Sequence, residues 1–283
     1  MTISRPFTNP LLVRKTQTYN RMDIIVCIKQ VPDTYDIGWD EKTGSLLRQG
    51  AGTILNPVDK HVLEAAIQLR EEHGGFITSL SMGPDQAEEA LREALGMGVD
   101  KAILLSDRVF AGADTLATSY ALGCAIKKID KFDIIICGKE SSDGVTGHVG
   151  PQVAEILNVP QLTNAMEITV EKNEVVIKQK TEDGYRLLKS AFPLLITVEK
   201  NINQPRIPSM ESIMDAYRDK TVDIWKGEDL NNNTGRFGLK GSPTQSKNIY
   251  TRKLEKGKVE ILKGAPDVAA KSLIGILKER DLL

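Results

Sequence analysis

The stretch Asp133-Ile134-Ile135-Ile136-Cys137-Gly138-Lys139-Glu140-Ser141-Ser142-Asp143-Gly144-Val145-Thr146-Gly147-His148-Val149-Gly150-Pro151 decides the fold. It opens on an uninterrupted β-branched run, as a strand buried on both faces of a parallel sheet requires. Gln152 to Leu157 follows as a helix, with Pro151 near its first turn. Between strand and helix lie Gly138, Gly144, Gly147 and Gly150 with the hydroxyls of Ser141, Ser142 and Thr146. A Gly-rich turn from strand to helix leaves backbone N–H groups free to face an anion, and the helix dipole adds to the attraction. The loop therefore reads as a phosphate- or nucleotide-binding turn. Ordinary turns use the same glycines, so that plainer reading stands beside it. No Gly-Lys-Ser/Thr closes the loop as in a Walker motif, and it lacks the Gly-x-Gly-x-x-Gly dinucleotide fingerprint. Ser141, Ser142, Asp143 and His148 include the residue types of a hydrolytic triad, but nothing in the sequence orients a base or builds an oxyanion hole.

Upstream, Asp23 to Ile28 is a first core strand, and Lys29 to Thr34 is the loop at its carboxyl end. Asp36 to Gln49 reads as a polar excursion with a turn at Lys42-Thr43-Gly44. Asn56 and Pro57 mark a helix start, and Val58, Val62, Ala65, Ala66 and Leu69 keep helical spacing until His73-Gly74-Gly75. Phe76 to Met82 is a strand. Gly83-Pro84-Asp85 opens a helix that closes at Gly96-Met97-Gly98. Lys101 to Leu105 is a strand, and Asp114 caps a helix to about Lys128. This alternation predicts an α/β fold: a doubly wound, Rossmann-like parallel sheet with right-handed crossovers. Ligands of such sheets sit at the carboxyl ends of the strands. Cys27 to Thr34, Met82 to Asp85, Ser106 to Thr115 and Gly138 to Gly150 all reach that edge.

Downstream the character changes. Ala165 to Val170 and Glu174 to Lys178 flank a Lys172-Asn173 turn as a β-hairpin, and Tyr185 to Lys189 adds a third strand. Pro193 to Val198 returns to the core. Asn203 to Met210 is a loop holding Pro205 and Pro208, and Ser212 to Arg218 is helical. Residues 226–258 lack periodicity and read as an extended arm, before an amphipathic helix from Pro266 to Leu282. The expected organisation is a leader over 1–21, a nucleotide-binding α/β domain over 22–225, and a C-terminal arm and helix over 226–283.

With 41% hydrophobic and 27% charged residues the chain has the composition of a globular protein with a sizeable core. A net charge of -1 argues against a general nucleic-acid or membrane-surface binder. No apolar run approaches the roughly 20 residues of a membrane helix. Cys27, Cys124 and Cys137 form no Cys-x-x-Cys pair and read as buried, reduced thiols of a cytoplasmic protein. His61, His73 and His148 lack metal-ligand spacing. Residues 1–21 are basic and acid-free, which fits a transit peptide, a disordered leader, or a start upstream of Met22. The core strand beginning directly at Met22 favours the last two.

From Met22 onward the chain resembles the beta subunit of electron transfer flavoproteins. The matching residues, in the family's order, are Val26-Cys27-Ile28-Lys29-Gln30-Val31-Pro32-Asp33-Thr34, Asn56-Pro57, Ser81-Met82-Gly83-Pro84, Gly112-Ala113-Asp114-Thr115-Leu116-Ala117-Thr118, the stretch around Asp143-Gly144, and Gly241-Ser242-Pro243-Thr244-Gln245. The housekeeping type of this family holds structural AMP in this subunit, with FAD in the alpha subunit. The electron-bifurcating type holds a second FAD where AMP would sit. Gly138, Asp143, Gly144, Thr146, Val149, Gly150 and Pro151 match the bifurcating pattern, and Lys139 replaces its Arg. Glu140, Ser141, Ser142, Val145, Gly147 and His148 depart from it.

The resemblance implies FAD at this edge, NADH as hydride donor, and electrons divided between the alpha-subunit FAD and ferredoxin or flavodoxin. It implies cofactor contacts from Cys27, Asn56, Asp59, Met82, Asp114, Thr115 and Thr118, and from the loop residues Gly138, Lys139, Ser141, Asp143, Gly144, Val145, Thr146, Gly147, His148 and Val149. Asn56 and Asp114 serve equally as helix caps, and Cys27 and Met82 as core residues. The loop from Asn203 to Met214 aligns with the family's recognition loop for a flavin dehydrogenase of the acyl-CoA or a similar class, with Met210 at its apolar anchor. No side chain is assigned covalent chemistry. The remaining alternative is a non-redox nucleotide-binding regulatory module, since the same fold binds ATP without electron transfer.

Overall fold

A computed structural model describes residues 21–33, 38–40, 45–47, 52–230, 233–244 and 261–283. Residues 1–20 of the expected leader over 1–21, the Lys42-Thr43-Gly44 turn, and residues 231–232 and 245–258 of the expected arm over 226–258 lie outside the described residues. The strands are β1 (Met22–Cys27), β2 (Gln30–Pro32), β3 (Gly38–Asp40), β4 (Ser45–Leu47), β5 (Thr53–Leu55), β6 (Gly75–Met82), β7 (Lys101–Leu105), β8 (Ile134–Gly138), β9 (Gln161–Glu171), β10 (Glu174–Thr181), β11 (Gly184–Ala191), β12 (Leu194–Val198) and β13 (Val222–Trp225). The helices are α1 (Pro57–His73), α2 (Glu88–Met97), α3 (Thr115–Ile129), α4 (Val149–Leu157), α5 (Met210–Arg218), α6 (Gly238–Gly241) and α7 (Pro266–Glu279).

The apolar runs become the middle of a nine-stranded sheet of order β11-β10-β9-β12-β8-β1-β6-β7-β13. From β9 to β13 every neighbouring pair is parallel, and β10 and β11 add antiparallel to β9. Successive residues of β1 and β8 feed opposite faces, as the two-residue period of a strand requires. Ile24, Val26, Ile134 and Ile136 pack with α1 and α2, while Ile25, Cys27, Ile135 and Cys137 pack with α3 and α4. This two-sided burial is why these strands read as continuous apolar runs. The chain winds outward from β1 through β6 to β7, then returns to place β8 on the other side of β1. The reversal lies between β1 and β8, the point at which open sheets of this kind leave a crevice at their carboxyl edge.

Several elements exceed what the sequence suggests. The polar excursion carries a hairpin, β3 against β4, and β2 pairs with β5. β13 extends the parallel sheet beside β7. Asp85–Ala87 forms a short 3-10 turn before α2. The first compact unit runs to Ser246, not Trp225, and Lys247–Leu283, carrying α7, forms a second. Beyond Trp225, Leu230 and Phe237 are buried in the cluster between the sheet and α3. Phe237 meets Phe110 edge-on at 5.1 Å between ring centroids and Tyr120 at 5.5 Å. Arg236 lies 4.0 Å above the Tyr120 ring. Order here comes from tertiary contact, which local periodicity does not encode. Among the described residues no helix is long and apolar enough to cross a membrane.

Phe237→Ala should lower the unfolding free energy of the first unit by about 3–5 kcal/mol, the cost of emptying a buried aromatic site. Chemical denaturation of the full chain checks this. A loss below about 1 kcal/mol would show that residues after Trp225 add little to the core.

Candidate functional site

The carboxyl ends of β1 and β8 carry the loops that meet at the crevice. Lys29, just past β1, places its Nζ 2.7 and 2.8 Å from the two carboxylate oxygens of Asp143 and 3.3 Å from Ser141 Oγ. Asp143 is nearly buried, at 9% side-chain exposure. Burial resists its ionisation, but the hydrogen bonds and charge of Lys29 outweigh that and hold its carboxyl below the usual range. Lys29 thereby cancels a negative charge that would repel an anion at the start of α4.

Asn56 precedes α1 in the N-cap position, yet its side chain makes no capping bond. It reaches across to the loop instead. Its Nδ2 donates to the Glu140 carbonyl at 3.2 Å, and its Oδ1 accepts from the Ser142 amide at 3.1 Å. Asp59, in the first turn of α1, accepts from the Lys29 amide at 2.7 Å. Burial pushes Asp59 up to about 7, against hydrogen bonds from the Lys29 amide and Asn56 and the charge of Lys29. Gly138 fits beneath this turn because a Cβ there would sit 2.5 Å from Asp59 Oδ1.

The rest of the loop is a shaped rim. Val145 adopts a left-handed φ of 49° while 61% exposed, an unfavourable state for a β-branched residue. Its amide donates to the Ser141 carbonyl at 2.9 Å. Gly147 also has a positive φ, 65°. Gly144 has no such requirement, and an added Cβ would meet only Ser141 Oγ, at 3.5 Å. Thr146 and His148 are exposed, and Val149 opens α4.

The other expected contacts sort differently. Cys27 closes β1 in register with Cys137 of β8; both are buried free thiols. The hydrogen bond with Cys27, together with burial, pushes the Cys137 thiol well up, so it is a neutral core group. Met82 closes β6, partly buried. Asp114 caps α3 through the Ala117 amide at 3.0 Å and also accepts from the Thr244 amide at 3.1 Å. Its own amide donates to Ser242 Oγ at 2.8 Å. Burial opposes its ionisation, but these amide donors prevail and hold it below the usual range. Thr118 continues α3, its amide on the Asp114 carbonyl. Lys139 pairs with Glu199 just past the end of β12, its Nζ 3.2 Å away.

Two residues enter the site without a sequence signal of their own. Lys29 lies in a quoted motif, but its partner Asp143 is 114 positions away. Gln152 joins the starts of α3 and α4: its Nε2 donates to Thr115 Oγ1 at 3.4 Å, and its Oε1 accepts from Ser119 Oγ at 3.0 Å. The arrangement offers a strand-to-helix loop with free amides, hydroxyls and a neutralised carboxylate.

Residues 43–229 match the electron transfer flavoprotein domain. The chain is 45% identical over 262 residues to the electron transfer flavoprotein subunit beta of Thermoanaerobacterium thermosaccharolyticum, covering 93% of this chain and 100% of that protein. It is 41% identical over 263 residues to caffeyl-CoA reductase-Etf complex subunit CarD of Acetobacterium woodii, with coverages of 93% and 100%. It is 39% identical over 267 residues to protein FixA of Azorhizobium caulinodans, with coverages of 92% and 95%.

Asp59 generates a prediction with a definite sign. Its folded value lies above its ordinary 3.8, at about 7, so the folded state holds a proton that the unfolded chain releases across that window. Its contribution to stability is complete below that window, falls as pH rises through it, and is flat above. Asp59→Asn removes the effect, so the variant's Tm should gain on the native protein between about pH 4 and about pH 7. Parallel Tm profiles would show that Asp59 does not titrate in that range.

Proposed function

Because the chain belongs to the electron transfer flavoprotein family, as a beta subunit acting in electron transfer, we propose that its carboxyl-edge crevice holds FAD. NADH is the electron donor in this reading. Electrons then divide between a partner dehydrogenase, by way of the alpha subunit's own FAD, and ferredoxin or flavodoxin. The family match removes the non-redox regulatory reading. The three free, buried thiols support a reducing, cytoplasmic setting.

The observation that carries the FAD reading is Gly144. Its φ lies outside the left-handed region, and a Cβ would meet nothing closer than Ser141 Oγ at 3.5 Å. The fold does not require glycine there; a ligand lying against the backbone does. The flavin supplies hydride acceptance and single-electron transfer when bound. The chain's own residues bind and orient. The amides opening α4 and the Thr146 hydroxyl would hold its phosphates, while Lys29 screens Asp143 and Asn56 fixes the loop against α1. AMP at the same edge would make this the housekeeping type.

Two partners accompany this reading. The second unit, 247–283, docks on the alpha subunit. Val268, Leu273 and Ile274 of α7 are exposed apolar residues for that purpose. A flavin dehydrogenase of the acyl-CoA class docks at the loop before α5 and the first residue of that helix, where Ile207 is 93% and Met210 73% exposed. The name of the CarD relative ties that protein to a caffeyl-CoA reductase complex.

Nucleotides extracted from the purified heterodimer should amount to about two FAD, one for each subunit's site. Gly144→Val should fold with an unchanged Tm and lose one of them. One FAD with one AMP per heterodimer overturns the bifurcating assignment, and full occupancy in the variant removes Gly144 from the site. Truncation after Ser246, which spares the Phe237 cluster, should abolish the heterodimer on size exclusion with the sheet still folded. An intact heterodimer would place the alpha-subunit contact elsewhere.

A further inference from the structure

Glu64 of α1 is a carboxylate that the nucleotide edge does not use, and its side chain is only 5% exposed. Its partners explain it. Arg206, from the loop before α5, donates from Nε to Glu64 Oε2 at 2.8 Å and from Nη2 to Oε1 at 3.0 Å. The Arg206 amide adds a bond to Oε2 at 3.1 Å, and Gln68 donates to Oε1 at 2.9 Å. The same guanidinium grips Glu71 one turn pair later, Nη1 to Oε1 at 2.6 Å and Nη2 to Oε2 at 3.0 Å. Burial alone would raise Glu64, but the Arg206 hydrogen bonds and charge hold it below the usual range. A second staple lies beside the first. Asn203 Nδ2 donates to the His61 carbonyl at 2.9 Å, and His61 Nδ1 faces the Asn203 carbonyl and Oδ1 at 3.0 and 3.1 Å. Facing two oxygens, Nδ1 carries the proton.

The far side of the loop is fixed as well. Ser209 caps α5 through the Ser212 amide at 3.1 Å. Arg92 of α2 donates to the Ala216 and Lys220 carbonyls at 2.5 and 2.6 Å, and Tyr217 donates to Glu89 at 2.7 Å. Between Arg206 and Ser209 stand only Ile207 and Pro208. An almost fully exposed isoleucine is thus held between two clamps.

We propose that Arg206 is the positioning residue of a pre-organised docking tip, Ile207 to Met210, which it fixes to α1 for insertion into an apolar pocket of the partner dehydrogenase. This rests on the docking reading of that loop given above. Ordering the tip in advance removes an entropy cost from association. The clamp stands on the same helix whose first turn holds Asn56 and Asp59, so α1 sets the tip's position relative to the nucleotide edge.

Arg206→Ala and Arg206→Lys, made in the full heterodimer, test the proposal. Amide exchange over Ile207–Ser212 should accelerate in Arg206→Ala while the sheet strands keep their protection. With an acyl-CoA dehydrogenase that the native heterodimer reduces, KM for that protein should rise about tenfold and kcat stay within about twofold. Arg206→Lys should fall between, because an ammonium cannot engage two carboxylates in the planar fork. Reduction of the heterodimer's flavin by NADH reports whether α1 itself has shifted. Unchanged exchange and KM overturn the proposal, and so does a joint fall of kcat, flavin reduction and Tm. Met210→Asp separates this from the reading beneath it. If Met210→Asp leaves KM for the dehydrogenase unchanged, the docking assignment itself fails; if it raises KM while Arg206→Ala does not, only the positioning role fails.

Discussion

The first turn of α1 lies so close to the end of β8 that no side chain fits between them. A Cβ on Gly138 would come within 2.5 Å of Asp59 Oδ1 and 3.1 Å of Val58 Cγ1. This contact has two effects. It buries Asp59 beneath the loop, and it brings Asn56 within reach of the Glu140 carbonyl and the Ser142 amide. The loop that follows β8 is therefore pinned at its start by backbone bonds to one side chain. Its far end stays free to shape a rim at the start of α4. A ligand site needs this combination of a fixed base and unpaired amides.

Two carboxylates of α1 show how burial and pairing decide charge. Asp59 has the Lys29 amide and Asn56 as neutral donors, while the Lys29 ammonium is committed to Asp143, so burial prevails and Asp59 rises to about 7. Glu64 exposes as little surface but lies less deep in the protein and meets a guanidinium directly, and it stays ionised. The difference is geometric: the guanidinium reaches Glu64 in a planar, two-toothed contact. On one helix, then, an acid whose burial holds its proton up to about 7 lies beneath the loop after β8, and an ionised acid holds the loop before α5. The helix contacts both loops and is itself packed along its length by Val62, Leu63, Ala66 and Ile67.

The glycines of the loop divide in the same physical terms. Gly150 is demanded by packing, since a Cβ there would meet Thr197 Cγ2 at 2.7 Å. Gly147 is demanded by its backbone angle. Gly144 is demanded by neither, and Val145 beside it accepts a left-handed conformation that glycine would have adopted without cost. Strain is kept on a non-glycine residue next to a glycine the fold could do without.

The parallel sheet, its alternation with helices and the carboxyl-edge loops were legible in the sequence, because strands buried on both faces must be apolar throughout and their helices must show an apolar stripe. The strand-to-helix stretch from Asp133 to Leu157 carried that message by itself. Polar pairings were not legible. Lys29 with Asp143, Asn56 with Ser142 and Arg206 with Glu64 join residues 86 to 142 positions apart, and neither periodicity nor turn chemistry records such contacts. The same is true of Phe237, whose surroundings in sequence are Gly- and Asn-rich but whose ring is buried against Phe110 and Tyr120. Local sequence determines which backbone can form. Which charges are neutralised, which acid keeps its proton and which polar segment becomes core follow only once tertiary structure sets the distances, because desolvation and ion pairing depend on those distances and not on order along the chain.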